Sequence, residues 1–110
     1  MKGINFYKIS ELKSKEVING STIKAVANEH SMFTFFEFGT NPVVPMHKHP
    51  HEQTSLVLQG SIRMKVGTRE EVLKPMEGVV IPSNVEHGAT ALEPDTKILD
   101  FWYPLREEYL

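Results

Sequence analysis

The sequence predicts an all-β domain of the sandwich or barrel kind, and three observations carry that prediction. From Ser55 onward, short apolar stretches recur at regular intervals, each bounded by Gly, Pro, Asn or Asp. Within one of them, Ile62, Met64 and Val66 alternate with Arg63 and Lys65, the period-two pattern of a half-buried strand. No segment sustains helical periodicity over ten or more residues, so the short strands must build the core by themselves.

Taken in order, residues 4–9 read as a short strand or edge segment, and the polar run Ser10 to Glu16 as a helical turn or loop. Residues 16–19 and 22–28 read as two strands around Asn19-Gly20, a dipeptide favoured in tight type I′ hairpins. Met32 to Phe38 is an aromatic strand ended by Gly39. Its Phe33 and Phe35 face opposite to Phe36 and Phe38, so both of its faces are apolar. Beyond Pro45, the predicted strands are 55–59, 62–66, 70–74, 79–81, 87–92 and 97–103, with turns at 74–78 and 93–95 marked by their Pro, Gly and Asp residues. About nine strands result. Met46 and Met64 read as core fillers, Met64 lining a pocket if its strand faces inward.

Composition excludes several classes of function. The 110 residues make one domain, 1–110, long enough to bury roughly 60 to 70% of its unfolded surface. A net charge of -2 leaves no basic footprint for nucleic acid, and the absence of cysteine removes both disulfides and thiolate ligands. There is no apolar run approaching the ~18 residues of a membrane span and no signal-peptide pattern at Met1 to Phe6, which places the expected location in the cytoplasm, away from membranes.

One stretch resists explanation by packing. Three of the five histidines, His47, His49 and His51, fall within five residues, just before Gln53. Imidazole is the commonest protein ligand for transition metals near neutral pH. On a continuous strand these four side chains share one face, although Pro50 points to a bulge that re-aims whatever follows it. His51 is therefore an alternative to Gln53 as a ligand, or a partner behind the ligands. Nitrogen and oxygen donors suit Mn, Fe, Co, Ni or Zn and leave positions open for water or substrate. His30, in a polar turn, reads as solvated.

The spacing of these residues carries a family resemblance. Gly39, then His47-x-His49-x-x-x-Gln53, then Gly60, is similar to the first motif of the cupins; Gly67, Pro75, Gly78, Pro82 and His87 are similar to the second. The resemblance implies a single-domain cupin jelly-roll barrel, with a divalent metal held by His47, His49, Gln53 and His87. Two departures stand out: Glu is the usual family residue at the position of Gln53, and the interval from Gly39 to His47 is longer than the commonest form.

The C-terminal string Asp100-Phe101-Trp102-Tyr103-Pro104-Leu105-Arg106-Glu107-Glu108-Tyr109-Leu110 resembles the ending of the KdgF pectin-degradation cupins, and His87-Gly88-Ala89 matches their His-Gly-Ala. Those proteins convert 4,5-unsaturated monouronates to linear keto forms. The resemblance implies Asp100 as catalytic acid/base, Trp102 as pocket aromatic in place of the more usual Phe, and Arg106 as the substrate-binding and catalytic arginine. The chemistry is coherent: a guanidinium grips a carboxylate in bidentate fashion, and opening a hemiacetal requires proton transfer. An Asp100 to Arg106 ion pair at the barrel rim is the plainer alternative. The expected partner is thus a small uronate sugar, with a homodimer expected from exposed N-terminal strands. The competing readings are a metal-dependent dioxygenase and a non-catalytic sugar-binding cupin.

Overall fold

The computed structural model describes residues 3–18 and 20–110. Ten strands are described: β1 Lys15–Ile18, β2 Ser21–Ala27, β3 Met32–Glu37, β4 Val43–His47, β5 Glu52–Gln59, β6 Ile62–Val66, β7 Arg69–Leu73, β8 Gly78–Ile81, β9 His87–Ala91 and β10 Lys97–Tyr103. The only helical pieces among the described residues are single 3₁₀ turns at Ile9–Glu11 and Glu107–Tyr109.

The strands form two antiparallel sheets, one of six in the order β1-β2-β3-β10-β5-β8 and one of four in the order β4-β9-β6-β7. This is the all-β jelly-roll arrangement, with side chains alternating between the space shared by the sheets and the outside. Along β10, Ile98, Asp100 and Trp102 are buried, whereas Phe101 and Tyr103 are exposed. Along β5, Gln53, Ser55 and Val57 turn inward. Phe38, Val57, Ile62, Met64, Ile81, Ala91 and Ile98 make the core between the sheets. Burying a side chain such as Ile62 or Ile81, both at 0% exposure, stabilises the fold by about 1.5–3 kcal/mol each.

Two glycines let the strands approach. Gly60 turns the chain between β5 and β6 at φ +78°, and a Cβ there would lie 2.3 Å from Thr96 Oγ1. At Gly78 a Cβ would lie 2.3 Å from the Ser55 carbonyl oxygen, so only glycine lets β8 pair with β5 at that point.

Several expectations need correction. Residues 4–9 form no strand; 4–8 are exposed without a ladder partner and Ile9 opens a 3₁₀ turn, while Tyr7 rests on Phe33 with ring centroids 5.7 Å apart. Residues 43–47 form β4, which the Pro45 in their middle conceals; Pro45 sits where the β4–β9 register slips between Val44 and His47. Met46 falls in that irregularity and is 43% exposed, outside the core. Met64 is buried and lines the pocket between the sheets. The polar run from Ser10 does contribute to one helical turn, Ile9–Glu11. The expected Asn19-Gly20 turn involves Asn19, which lies outside the described residues; Gly20 has φ +86°.

Candidate metal centre and active site

His47 ends β4, His87 begins β9, and the two are paired across the ladder of the four-stranded sheet. His49 comes from the connection that carries the chain to β5 in the other sheet. The three rings converge, with ligand nitrogens all within 4.8 Å of one another. Convergence thus comes from the sheets closing on each other, and the continuous strand pictured from residue parity does not exist: the chain leaves the strand after His47 and bends at residues 50–51, and the strand irregularity lies at 45–46, ahead of Pro50.

Backbone carbonyls set the orientation of each ring. His47 Nδ1 lies 2.8 Å from Pro45 O, His49 Nδ1 3.0 Å from His51 O, and His87 Nδ1 2.8 Å from Val85 O. A carbonyl oxygen only accepts, so each Nδ1 carries the proton and each Nε2 presents a lone pair. His87 Nε2 is buried without a hydrogen-bond partner. Burial lowers the His49 pKa to about 4, helped by the positive charge of Arg106, and burial also lowers that of His87. Near neutral pH both rings are neutral, the form in which imidazole binds a metal.

Gln53 completes the set. Its Nε2 donates to Ser55 Oγ (3.0 Å) and to Asp100 Oδ1 (3.2 Å), which turns its Oε1 to within 3.1 Å of His49 Nε2. Two lone pairs then face each other in a buried site, a repulsive arrangement unless a cation sits beside them. Uncapped imidazole nitrogens, an orphaned His87 Nε2 and this opposed pair together fit a divalent metal among His47, His49, His87 and Gln53. His51 does not join the cluster; its carbonyl holds His49, while its ring stands 5.6 Å from that of His49 and 6.5 Å from that of Trp102. His30 stays exposed beside Glu29.

The opposite wall comes from β10 and the C-terminal turn. Asp100 lies across from Ser55 in the β10–β5 register and accepts from Ser55 Oγ (2.5 Å) and Gln53. Burial pushes its pKa up to about 6; the hydrogen bonds from Ser55 and Gln53, and the charge of Arg106, restrain the rise. The alternative of a rim ion pair with Asp100 is not formed; Arg106 Nε lies 3.3 Å from Glu108 Oε1. The guanidinium lies against two neighbouring rings, 4.9 Å from the centroid of Trp102 and 4.6 Å from that of Tyr109, which are themselves 5.7 Å apart. Trp102 stands edge-on to His49 at 5.2 Å and donates its Nε1 hydrogen to Thr34 Oγ1 at 3.0 Å.

His47, His87, Gln53, Asp100, Trp102 and Arg106 border one cavity of about 320 Å³ between the sheets, against which Val17, Phe36, Val44 and Met64 form an apolar floor and side. A larger hollow, about 560 Å³, lies on the outer face of the six-stranded sheet around Tyr7, Phe33 and Phe101. The smaller one gathers His47, His87, Asp100 and Arg106. Sequence reasoning did not single out Ser55, Thr34 or Tyr109. Ser55 shares the inward parity of Gln53 and could have been found that way; Tyr109 follows Arg106 by three residues, one 3₁₀ turn; Thr34 carries no local signal.

The chain belongs to the cupin family: a family profile described as Cupin domain matches residues 34–101. Within that family its likeness is to the KdgF type. KdgF from Halomonas sp. superposes with a TM-score of 0.90 at 30% identity, over 96% of this chain and 100% of that one. The pectin degradation protein KdgF of Dickeya dadantii (strain 3937) is 26% identical over 80 residues, 72% of this chain and 73% of that protein. An RmlC-like cupin from Shewanella frigidimarina, at 23% identity and a TM-score of 0.88 over 97% of this chain and 96% of that one, shares the fold. No helix among the described residues is long and apolar enough to cross a membrane.

Proposed function

We propose that this protein opens the ring of 4,5-unsaturated monouronates to give the linear keto-uronates of pectin and alginate breakdown, using a divalent metal held by His47, His49, His87 and Gln53. The observation that carries this reading is the pairing, in one cavity, of a buried carboxyl poised near neutral pH with a guanidinium stacked for an anionic substrate. The likeness to KdgF from Halomonas sp. and to the Dickeya pectin degradation protein supports it.

The roles follow from position. Arg106, braced against the neighbouring rings of Trp102 and Tyr109 and with its Nε beside Glu108, offers the terminal nitrogens of its fork to the substrate carboxylate. Opening moves a proton from the anomeric hydroxyl, makes the anomeric carbon a carbonyl and breaks its bond to the ring oxygen. The enol so released becomes a ketone by gaining a proton on carbon 4 and losing its hydroxyl proton. The net reaction is an isomerisation, and a carboxyl with a pKa of about 6 both accepts and returns protons near neutrality. Asp100 is that group. A bound divalent metal supplies Lewis-acid polarisation of the substrate oxygens. Trp102 and the apolar floor exclude water from the reacting face.

The test is direct. Metal-loaded protein added to freshly generated unsaturated monouronate should speed the loss of absorbance from the conjugated double bond, and D100N should not. No acceleration over buffer, equal acceleration by D100N, or stoichiometric oxygen uptake would overturn the proposal. We further assign a homodimer, in which a second copy covers the outer face of the six-stranded sheet, where Phe101, Tyr103 and Val80 are 45%, 57% and 70% exposed. A monomer mass in solution would refute that assignment.

A further inference from the structure

We infer that Gln53 is a two-ended positioning residue, locked by Ser55, which couples the histidine cluster to Asp100, and that position 53 requires an amide for this reason. The inference rests on the reading of His47, His49 and His87 as metal ligands and of Asp100 as the proton-moving group.

The locking follows from counting hydrogens. Ser55 Oγ has one proton, which it donates to Asp100 Oδ1, so toward Gln53 Nε2 the hydroxyl must accept. Asp100 Oδ1 accepts from both neighbours. The two amide hydrogens of Gln53 therefore have two dedicated acceptors, Ser55 Oγ at 3.0 Å and Asp100 Oδ1 at 3.2 Å, and the triangle Gln53, Ser55, Asp100 is closed. All three residues are buried. Turning the amide over would aim its oxygen at the carboxyl and its nitrogen at the cluster, and would break both bonds at once. The oxygen is thus committed to the side of His49 Nε2, 3.1 Å away, where a ligand atom is needed. Residues 53 and 55 lie on consecutive inward positions of β5, opposite Trp102 and Asp100 of β10, so the sheet ladder itself fixes the triangle.

A carboxylate at position 53 would supply the metal with an oxygen but would have no hydrogen for Asp100 or Ser55. It would place two buried carboxylates where Nε2 and Oδ1 now stand 3.2 Å apart. The amide is therefore the group that serves both ends.

The experiment is a double-mutant cycle on the full-length protein, read by thermal unfolding with chelator present at pH 8, with Ni(II) affinity as a separate readout. Q53E should lower the melting temperature by roughly 10 °C in the wild-type background. In the D100N background it should cost little, because the new amide at position 100 donates to Glu in the reverse direction. S55A should weaken Ni(II) binding about 10-fold, the scale of losing a group that orients a ligand. Q53E unfolding at the wild-type temperature, or additive effects across the cycle, would overturn the coupling; unchanged Ni(II) affinity in S55A would overturn the lock. Neither readout involves the sugar. If ring opening fails while the cycle is non-additive, the positioning stands and the substrate reading falls; if ring opening is seen and the cycle is additive, the positioning alone falls.

Discussion

Replacing Asp100 by Asn should make the metal-free protein more stable near neutral pH while abolishing its chemistry. The Asp100 carboxyl is raised from 3.8 to about 6, chiefly by burial. That gap corresponds to about 3 kcal/mol of penalty on the ionised form. Between these two values the folded protein keeps a proton that the unfolded chain has released. The contribution of Asp100 is therefore fully present below 3.8 and is lost as pH rises through about 6. Asn is neutral throughout, is nearly isosteric, and its Oδ1 can accept from Ser55 and Gln53 as the carboxyl does. His49 and His87 run the other way: their pKa values are lowered, so their contribution is present above the usual 6.5 and is lost as pH falls, toward about 4 for His49. Neither ring owes its shift to Asp100, so their effect cancels in the difference between the two proteins. Urea unfolding with chelator from pH 4.5 to 7.5 should show the wild type losing about 2 kcal/mol relative to D100N across the range. Parallel stability profiles would refute the reasoning, because they would mean that Asp100 is solvated or firmly ion-paired.

Other substitutions probe the remaining parts of the site and the fold. H87A should reduce divalent metal affinity about 100-fold or more, since it removes one of three converging imidazoles; competition against a chromogenic chelator measures it. R106K should lower kcat/KM for the uronate by roughly 100-fold with little change in melting temperature, because an ammonium cannot lie flat against the rings of Trp102 and Tyr109 or grip a carboxylate in two places. T34V strands the buried Trp102 Nε1 hydrogen and should cost about 1–3 kcal/mol in urea unfolding; added to W102F, the same change should cost far less. G60A should destabilise by about 2 kcal/mol or more, because φ +78° opposes a side chain and its Cβ would meet Thr96 at 2.3 Å.

Much of this site was legible before folding, for reasons that differ residue by residue. Strands such as Ile62–Val66 and Lys97–Tyr103 were readable to the residue because their turns carry their own chemistry and their alternation is local. Asp100 and Trp102 were expected to share the inward face of Ile98, and they do, because period two survives any tertiary context along an unbroken strand. The same rule misled at residues 47–53, where it was applied across a bend: the chain changes sheets there, and the side chains meet because the sheets do. β4 was hidden by Pro45, which sits in the strand only because the ladder is already irregular at that place. The N-terminal arm has strand-like alternation but pairs with no strand, and pairing is not a property of the segment itself. Ser55, Thr34 and Tyr109 act through Gln53, Trp102 and Arg106, and residues that act through a neighbour have no signal until that neighbour's orientation is known.

The division of the site between sheets explains why its two halves differ in chemistry. His47 and His87 belong to the four-stranded sheet, and carbonyls of their own sheet or its flanking turns hold them, so the geometry of the nitrogen donors is local. Asp100, Ser55 and Trp102 belong to the six-stranded sheet and form the wall that carries the buried carboxyl. Only His49, on the connection, and Gln53, at the start of β5, reach between them. The elevated pKa of Asp100 comes chiefly from its burial between the sheets, an expense that the apolar core offsets. A cavity built this way accepts changes on its rim while its two bridging residues stay fixed. On the proposed reading, Trp102, Arg106 and Tyr109 would set substrate choice, and the junction at His49 and Gln53 would tie the metal ligands to the acid.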